Sequence, residues 1–177
     1  MVFAGPLAVG CVICGIIGAL IAYRESTMYL RNEVIARYRT IAMVGLSPRP
    51  DRDSHVVARY LQAHGYRVVP VNPSIAGQTL LGETCYASLT EAAAALANDG
   101  VEIEIVDCFR KSEEIGPIAD EAIAIAANCL WMQLGVVNEE AARRAEHAGL
   151  IVVMNRCLKL DHMHAVTGAD AGPVSAQ

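Results

Sequence analysis

The chain has 177 residues, enough for one domain of ordinary size with an appendage and a real core. A net charge of −5 excludes wholesale nucleic-acid binding, which needs a basic face to neutralise phosphates, and leaves a small anionic ligand held by a few local arginines. Cysteines at positions 11, 14, 85, 108, 129 and 157 lack the density and spacing of a disulfide framework and read as thiols of a reducing compartment.

The apolar fraction of 54% is high for a soluble domain, and the excess sits in residues 1–23, MVFAGPLAVGCVICGIIGALIAY, where nothing is charged. About 20 apolar residues cross a bilayer as a helix. Two readings stand side by side. One is a single-pass anchor, with Arg24, Arg31, Arg37 and Arg39 keeping the rest of the chain in the cytoplasm on the inner face of the membrane. The other is a true start at Met28. A secretory signal fits poorly, since neither a basic n-region nor a small-x-small cleavage site is evident. Cys11 and Cys14 form a C-x-x-C without the second ligand pair a metal site needs.

STMYLRNEVIARY places Met28, Leu30, Val34, Ile35 and Tyr38 on one helical face, with Ser26 or Thr27 as cap. TIAMVG then reads as a strand, and HVVARYLQAHG as a helix closed by Gly65. YRVVPVNP is a second strand ended by Asn72 and Pro73. After a long loop, SIAGQTLLGETCYA, the stretch SLTEAAAALAND is an alanine-rich helix capped by Ser88 or Thr90. VEIEIVDCF, CLWMQLG and IVVMN are three further strands, separated by the helices GPIADEAIAIAAN and NEEAARRAEHAGL. The domain spans 28–164, and residues 165–177 form a loose tail.

These alternations predict an α/β fold, a Rossmann-like open sandwich with a five-stranded parallel sheet in the order 3-2-1-4-5 and helices on both faces. Ligands of such sheets sit beyond the carboxyl ends of the strands, where the order reverses, here between strands one and four. That topology directs attention to Gly45 to His55, Asn72-Pro73, Asp107 to Lys111 and Gln133 to Val136.

The first turn, VGLSPRPDRDSHVV, lacks the G-x-G-x-x-G of a dinucleotide site, and Asn72-Pro73 stands where an acid would hold the ribose of NAD. NAD is disfavoured on both counts. Ser47, Arg49, Arg52, Ser54 and His55 precede or open a helix whose free amides attract anions, which suits a ligand with an extra phosphate. The alternative use of the same residues is structural: Ser54 as a cap, Asp51 and Asp53 on nearby amides, the arginines in water.

The chain resembles the small bacterial and archaeal CoA-binding proteins, single Rossmann domains similar to the CoA-binding part of the succinyl-CoA synthetase α-subunit. The resemblance runs from about Met28 to His164 and rests on IAMVGLSPRPDRDSHVVARYLQAHGYRVVPVNP, GQTLLGETCYASL, VDCFR, WMQLGVVNEEAARRAEHAGLIVVMNRC and KLDH. Asn155 departs from the family's aspartate before Arg-Cys, and Leu158 from its proline. The resemblance implies coenzyme A or an acyl-CoA along the first turn. Gly45, Ser47, Pro48 and Arg49 would wrap the diphosphate, with Ser54 and His55 at the helix start. Asn72 and Pro73 would line the adenine, or form a plain turn. Phe109 and Arg110 end the third strand; Arg110 reaches toward phosphate or pairs with Asp107 or a neighbouring acid. Gln133 and Gly135 lie on the path of the pantetheine arm, and Trp131 is core.

No nucleophile elbow, Tyr-x-x-x-Lys pair, P-loop or H-E-x-x-H is present, so the chain reads as a non-catalytic binding module. The rivals are a nucleotide-dependent oxidoreductase and an acyl-CoA ligase subunit lacking its ATP-binding partner. Asp161, His162 and His164 suit a solvated loop better than a metal cluster. Cys157, between Arg156 and Lys159, is either a thiol of lowered pKa that forms a mixed disulfide with CoA or a buried, inert side chain.

Overall fold

The computed structural model describes residues 28–168. The apolar segment 1–23, Ser26, Thr27, Cys11, Cys14 and residues 169–177 lie outside them. Among the described residues no helix is long and apolar enough to cross a membrane.

Helix α1 occupies 28–37 and buries Val34 and Ile35. Strand β1 (Thr40–Val44) alternates as the pleat requires, with Ala42 and Val44 on one face and Ile41 and Met43 on the other. Next come α2 (Asp53–Ala63) and β2 (Arg67–Val71). The long loop holds a 3₁₀ turn (Pro73–Ile75) and a small antiparallel hairpin, β3 (Thr79–Leu80) with β4 (Glu83–Thr84). Helix α3 (Leu89–Ala97) starts where Ser88 Oγ accepts the Glu91 amide at 3.1 Å and the Glu91 carboxylate accepts the Ala87 amide at 2.9 Å. After β5 (Ile105–Cys108), α4 (Ile115–Ala124) and β6 (Cys129–Met132), the side chain of Asn138 caps α5 (Glu139–His147) by accepting the Ala141 amide at 2.9 Å. Strand β7 (Ile151–Val153) and helix α6 (Leu158–Thr167) complete the fold.

The five long strands form one parallel sheet, with helices on both faces. α3, α4 and α5 cover the face of Ala42, Val44, Val106 and Leu130. α1, α2 and α6 cover that of Ile41, Met43, Ile105 and Trp131. The open sandwich is therefore the expected one, but the strand order is not. The sheet runs β2-β1-β5-β6-β7, so the third sheet strand of the chain pairs with the first instead of the second.

Pro70 gives the physical reason. It has no N–H for a ladder, which confines it to an edge strand, and the order 3-2-1-4-5 would have buried β2 between two partners. Its carbonyl points outward and accepts the Tyr86 amide at 3.0 Å, while Tyr86 returns its own carbonyl to the Asn72 amide at 2.9 Å. That short parallel bridge closes the outer edge of β2. The order consequently reverses between β1 and β5, not between the first and fourth sheet strands.

Helix α6 is a second correction, since the polar stretch Asp161 to His164 reads in sequence as a solvated loop. Leu158, Asp161 and His162 are all buried. Asp161 accepts from Arg31 at 3.2 Å and from Arg156 Nε at 3.0 Å, and His162 Nδ1 lies 2.9 Å from the Tyr60 hydroxyl. Paired this way, polar groups enter an interior that would reject them alone. The helix also includes residues 165–167, which the sequence assigned to the tail.

Candidate functional site

At the reversal point the loops that leave β1 and β5 touch through their backbones. Phe109 N–H donates to the Val44 carbonyl at 2.9 Å, and Gly45 N–H to that of Val71 at 2.8 Å. Gly45 has φ +88°, and a β-carbon there would stand 2.5 Å from the Phe109 carbonyl oxygen. The single glycine of the turn thus permits this close approach.

Beyond Gly45 the turn is held by its own side chains. Ser54 Oγ accepts the Ser47 amide at 3.1 Å, the Ser47 carbonyl lies 3.0 Å from His55 Nδ1, and Asn72 Nδ2 donates to the Leu46 carbonyl at 2.9 Å. Asn72 Oδ1 accepts the Ser74 amide at 3.0 Å, so both polar atoms of that side chain are engaged at the 3₁₀ turn that Pro73 begins. Ser54 and His55 are buried, whereas Pro48, Arg49 and Pro73 are exposed. Arg49 pairs with Asp51 at 2.9 Å, and its amide donates to Ser47 Oγ at 3.2 Å.

An open cleft of about 960 Å³ lies beside this turn, at the carboxyl end of the sheet. Its apolar wall combines Val56 and Val57 of α2 with Leu134 and Val136 after β6 and Leu160 of α6. Arg110, Lys111 and Lys159 bring positive charge, and Asp53, Glu113 and Glu114 bring negative charge. Of the residues proposed from sequence, Phe109, Arg110 and Gln133 line it. Ser54 and His55 lie in the same helical turn as Asp53 and Val56, while Gly45, Ser47, Pro48, Arg49, Asn72, Pro73 and Gly135 are not among its walls.

Arg110 pairs with Glu114 and not with Asp107. The Arg110 side chain, joined by the Lys111 amide, holds the Glu114 carboxyl below its ordinary range. Gly135 N–H donates to Asn155 Oδ1 at 2.7 Å, which ties the loop after β6 to the one after β7. Asn155 itself has φ +56°, a conformation asparagine tolerates better than most residues.

Cys157 lines the cleft, and of its two readings the surroundings favour the buried thiol over the activated one. Burial raises its pKa, against a lowering by the Leu160 and Lys159 amides. Arg156 is turned to Asp161, and the Lys159 ammonium lies 5.7 Å from the centre of the Tyr60 ring. Among the described residues no three His, Cys, Asp or Glu side chains gather to hold a metal.

Sequence reasoning missed most of the apolar wall and the weight of Asp107. This carboxyl is fully buried on β5, between Met43 and Trp131 of the adjacent strands. Gln133 Nε2 donates to both of its oxygens, at 2.8 and 3.1 Å. Burial pushes the carboxyl up to about 7, against a lowering by the Gln133 side chain and the Cys108 amide. An acid inside the apolar run IVDCF, residues 105–109, was the available signal.

A family model described as CoA binding domain matches residues 39–163. The uncharacterized protein YneT of Bacillus subtilis (strain 168) is 42% identical over 136 residues, covering 77% of this chain and 93% of YneT. A hypothetical protein from Pyrococcus horikoshii OT3 superposes with a TM-score of 0.69 at 37% identity, across 78% of this chain and 92% of that one. A protein from Thermus thermophilus gives 0.68 at 33% identity, across 78% and 98%. With most of the described residues matched in sequence and in fold, the chain belongs to the family of CoA-binding domains.

Proposed function

We propose that this protein binds coenzyme A or an acyl-CoA in the cleft at the β1/β5 reversal point and does so without catalysing a reaction. The observation that carries this reading is the pairing of an apolar wall with Arg110, Lys111 and Lys159 in one cleft of a CoA-binding domain. A nucleotide with a long apolar arm needs both: cations for its phosphates, and apolar surface for the arm. The turn from Gly45 to Arg49 and the start of α2 would take the diphosphate. Arg49, exposed and among the described residues paired through its side chain with Asp51 alone, can leave that partner for a phosphate at small cost. Gln133 and the loop through Gly135 would follow the pantetheine arm. As a binding module it would sense, carry or present the cofactor for a partner enzyme.

Calorimetric titration of the protein with CoA, dephospho-CoA and NAD tests the reading. CoA should bind, dephospho-CoA should bind roughly tenfold or more weakly for the loss of one charge-assisted contact, and NAD should give little signal. Tight NAD binding with no CoA signal would replace this reading with that of an oxidoreductase.

A further inference from the structure

Gln133 forms part of the floor of the cleft and is almost entirely buried. Its Nε2 is committed to Asp107, and among the described residues nothing donates to its Oε1. Because Gln133 lines the cleft, that oxygen is the end of the amide left for a group bound there. A primary amide has a donor end and an acceptor end of nearly equal shape, and the group behind it decides which end faces forward.

We propose that Asp107 is a positioning residue which sets the hydrogen-bonding sense of Gln133 toward the ligand. As a carboxylate it accepts Nε2 and leaves Oε1 facing the cleft to accept an N–H from an amide or amino group of the ligand. As a carboxylic acid it donates its proton to Oε1, and Nε2 is turned to the cleft as a donor. The exchange moves one proton between Asp107 and solvent and needs no other reactant. The inference rests on the CoA reading only for the identity of the ligand, whose arm carries secondary amides.

Burial holds the Asp107 carboxyl near 7, so both states are populated around neutrality. Among the described residues the ionisable groups nearest it are thiols: Cys129 on β6 and Cys157 at the start of α6 share its face of the sheet, and Cys108, next on its own strand, points to the other. Burial raises all three, which leaves them neutral at this pH. β1 contributes Met43. α2 contributes His55, turned to Ser47, and Asp53 in the cleft wall, where the charges of Arg110, Lys111 and Lys159 also lie.

The test uses the full-length chain, labelled with ¹⁵N. The side-chain NH₂ signals of Gln133, assigned by their loss in Gln133→Leu, should titrate with a midpoint near 7. In Asp107→Asn they should stay fixed. Affinity for CoA, measured in parallel, should rise from pH 6 to pH 8 by up to about tenfold more than in Asp107→Asn or Gln133→Leu, following the ionised fraction of Asp107. The titration of the ligand's own phosphate is common to all three proteins. Gln133 signals that do not move with pH, or move alike in Asp107→Asn, overturn the positioning role whether or not CoA binds. Equal pH slopes of CoA affinity in the wild type and Gln133→Leu overturn the ligand-facing half of the proposal, even if Asp107→Asn does not fold. Titrating signals without CoA binding would instead overturn the proposed function.

Discussion

A β-carbon on residue 45 would stand 2.5 Å from the carbonyl oxygen of Phe109 and 2.8 Å from Cδ of Arg110, so the loops after β1 and β5 meet only because residue 45 is glycine. Its φ of +88° would strain any other residue even in open space. Gly45→Ala should therefore cost about 2–4 kcal/mol, combining backbone strain with overpacking, and should displace the loop that carries Arg110. Gly135 provides the control, with φ +82° and nothing within 4 Å of the position a β-carbon would take. Gly135→Ala should cost about 1 kcal/mol, the backbone part alone. Urea unfolding of the two variants separates these contributions, and equal losses would refute the close-approach argument.

Asp161 stands between Arg31 and Arg156 with only 6% of its surface exposed, joining α1, the β7 loop and α6. Removal of the acid leaves two partly buried guanidinium groups without their counter-charge. Asp161→Ala should then destabilise the protein by about 3–5 kcal/mol, the usual penalty for breaking a buried pair from one side. Faster amide hydrogen exchange across 158–167 should accompany the loss. A change below about 1 kcal/mol would place the triad with ordinary surface pairs.

The fold was legible wherever burial follows simple periodicity. TIAMV, RVVPV and IVDC read as strands because apolar and β-branched residues fill both of their faces, and Ser88 and Asn138 act as the caps their positions imply. Strand order depends on which edges are closed, and the decisive signs were small ones: a proline in β2 and a tyrosine sixteen residues later whose amide bonds to its carbonyl. Helix α6 was hidden because its buried positions include Asp161 and His162, whose partners Arg31 and Tyr60 lie far away in sequence. The cleft was legible by topology and only partly by side chain. Phe109, Arg110 and Gln133 follow strand ends, which topology picks out, whereas Val56 and Leu160 belong to helices whose inward turn a one-dimensional pattern does not give.

Cys157 is half-buried, whereas Cys85, Cys108 and Cys129 are buried. Thiol reactivity follows the thiolate fraction and access together, and burial raises the pKa of all four. Cys157 should consequently be the first of the four to react with a disulfide probe, but more slowly than an exposed thiol with an ordinary pKa. Because it lines the cleft, saturating CoA should slow that reaction further. Mass spectrometry of the labelled peptides reads both effects. Labelling faster than a free thiol would restore the activated-cysteine alternative over the buried, inert one, and a rate unchanged by bound CoA would place the ligand elsewhere.

The carboxyl of Asp107 rises from 3.8 to about 7 on folding, so the folded state holds its proton more tightly than the unfolded chain does. Between those two values the native protein carries more bound protons than the unfolded one, and its stability falls as pH rises. The loss begins near the unfolded value, continues up to about 7 and then levels off, because above the folded value both states are ionised. From pH 5 to pH 8 the expected cost is about 2–3 kcal/mol, with a ceiling near 4 over the whole range. Asparagine in its place stays neutral throughout and can still accept Gln133 Nε2 through its carbonyl oxygen. Asp107→Asn should therefore gain on the wild type steadily across pH 5 to 8, and the two curves should run parallel above pH 8. Urea unfolding of both proteins at unit pH steps measures the difference directly, and all other titrating groups contribute equally to both. Parallel curves across the whole interval would mean that Asp107 ionises in the folded protein as an ordinary carboxyl does, with a well-solvated neighbourhood that its burial between Met43 and Trp131 does not provide.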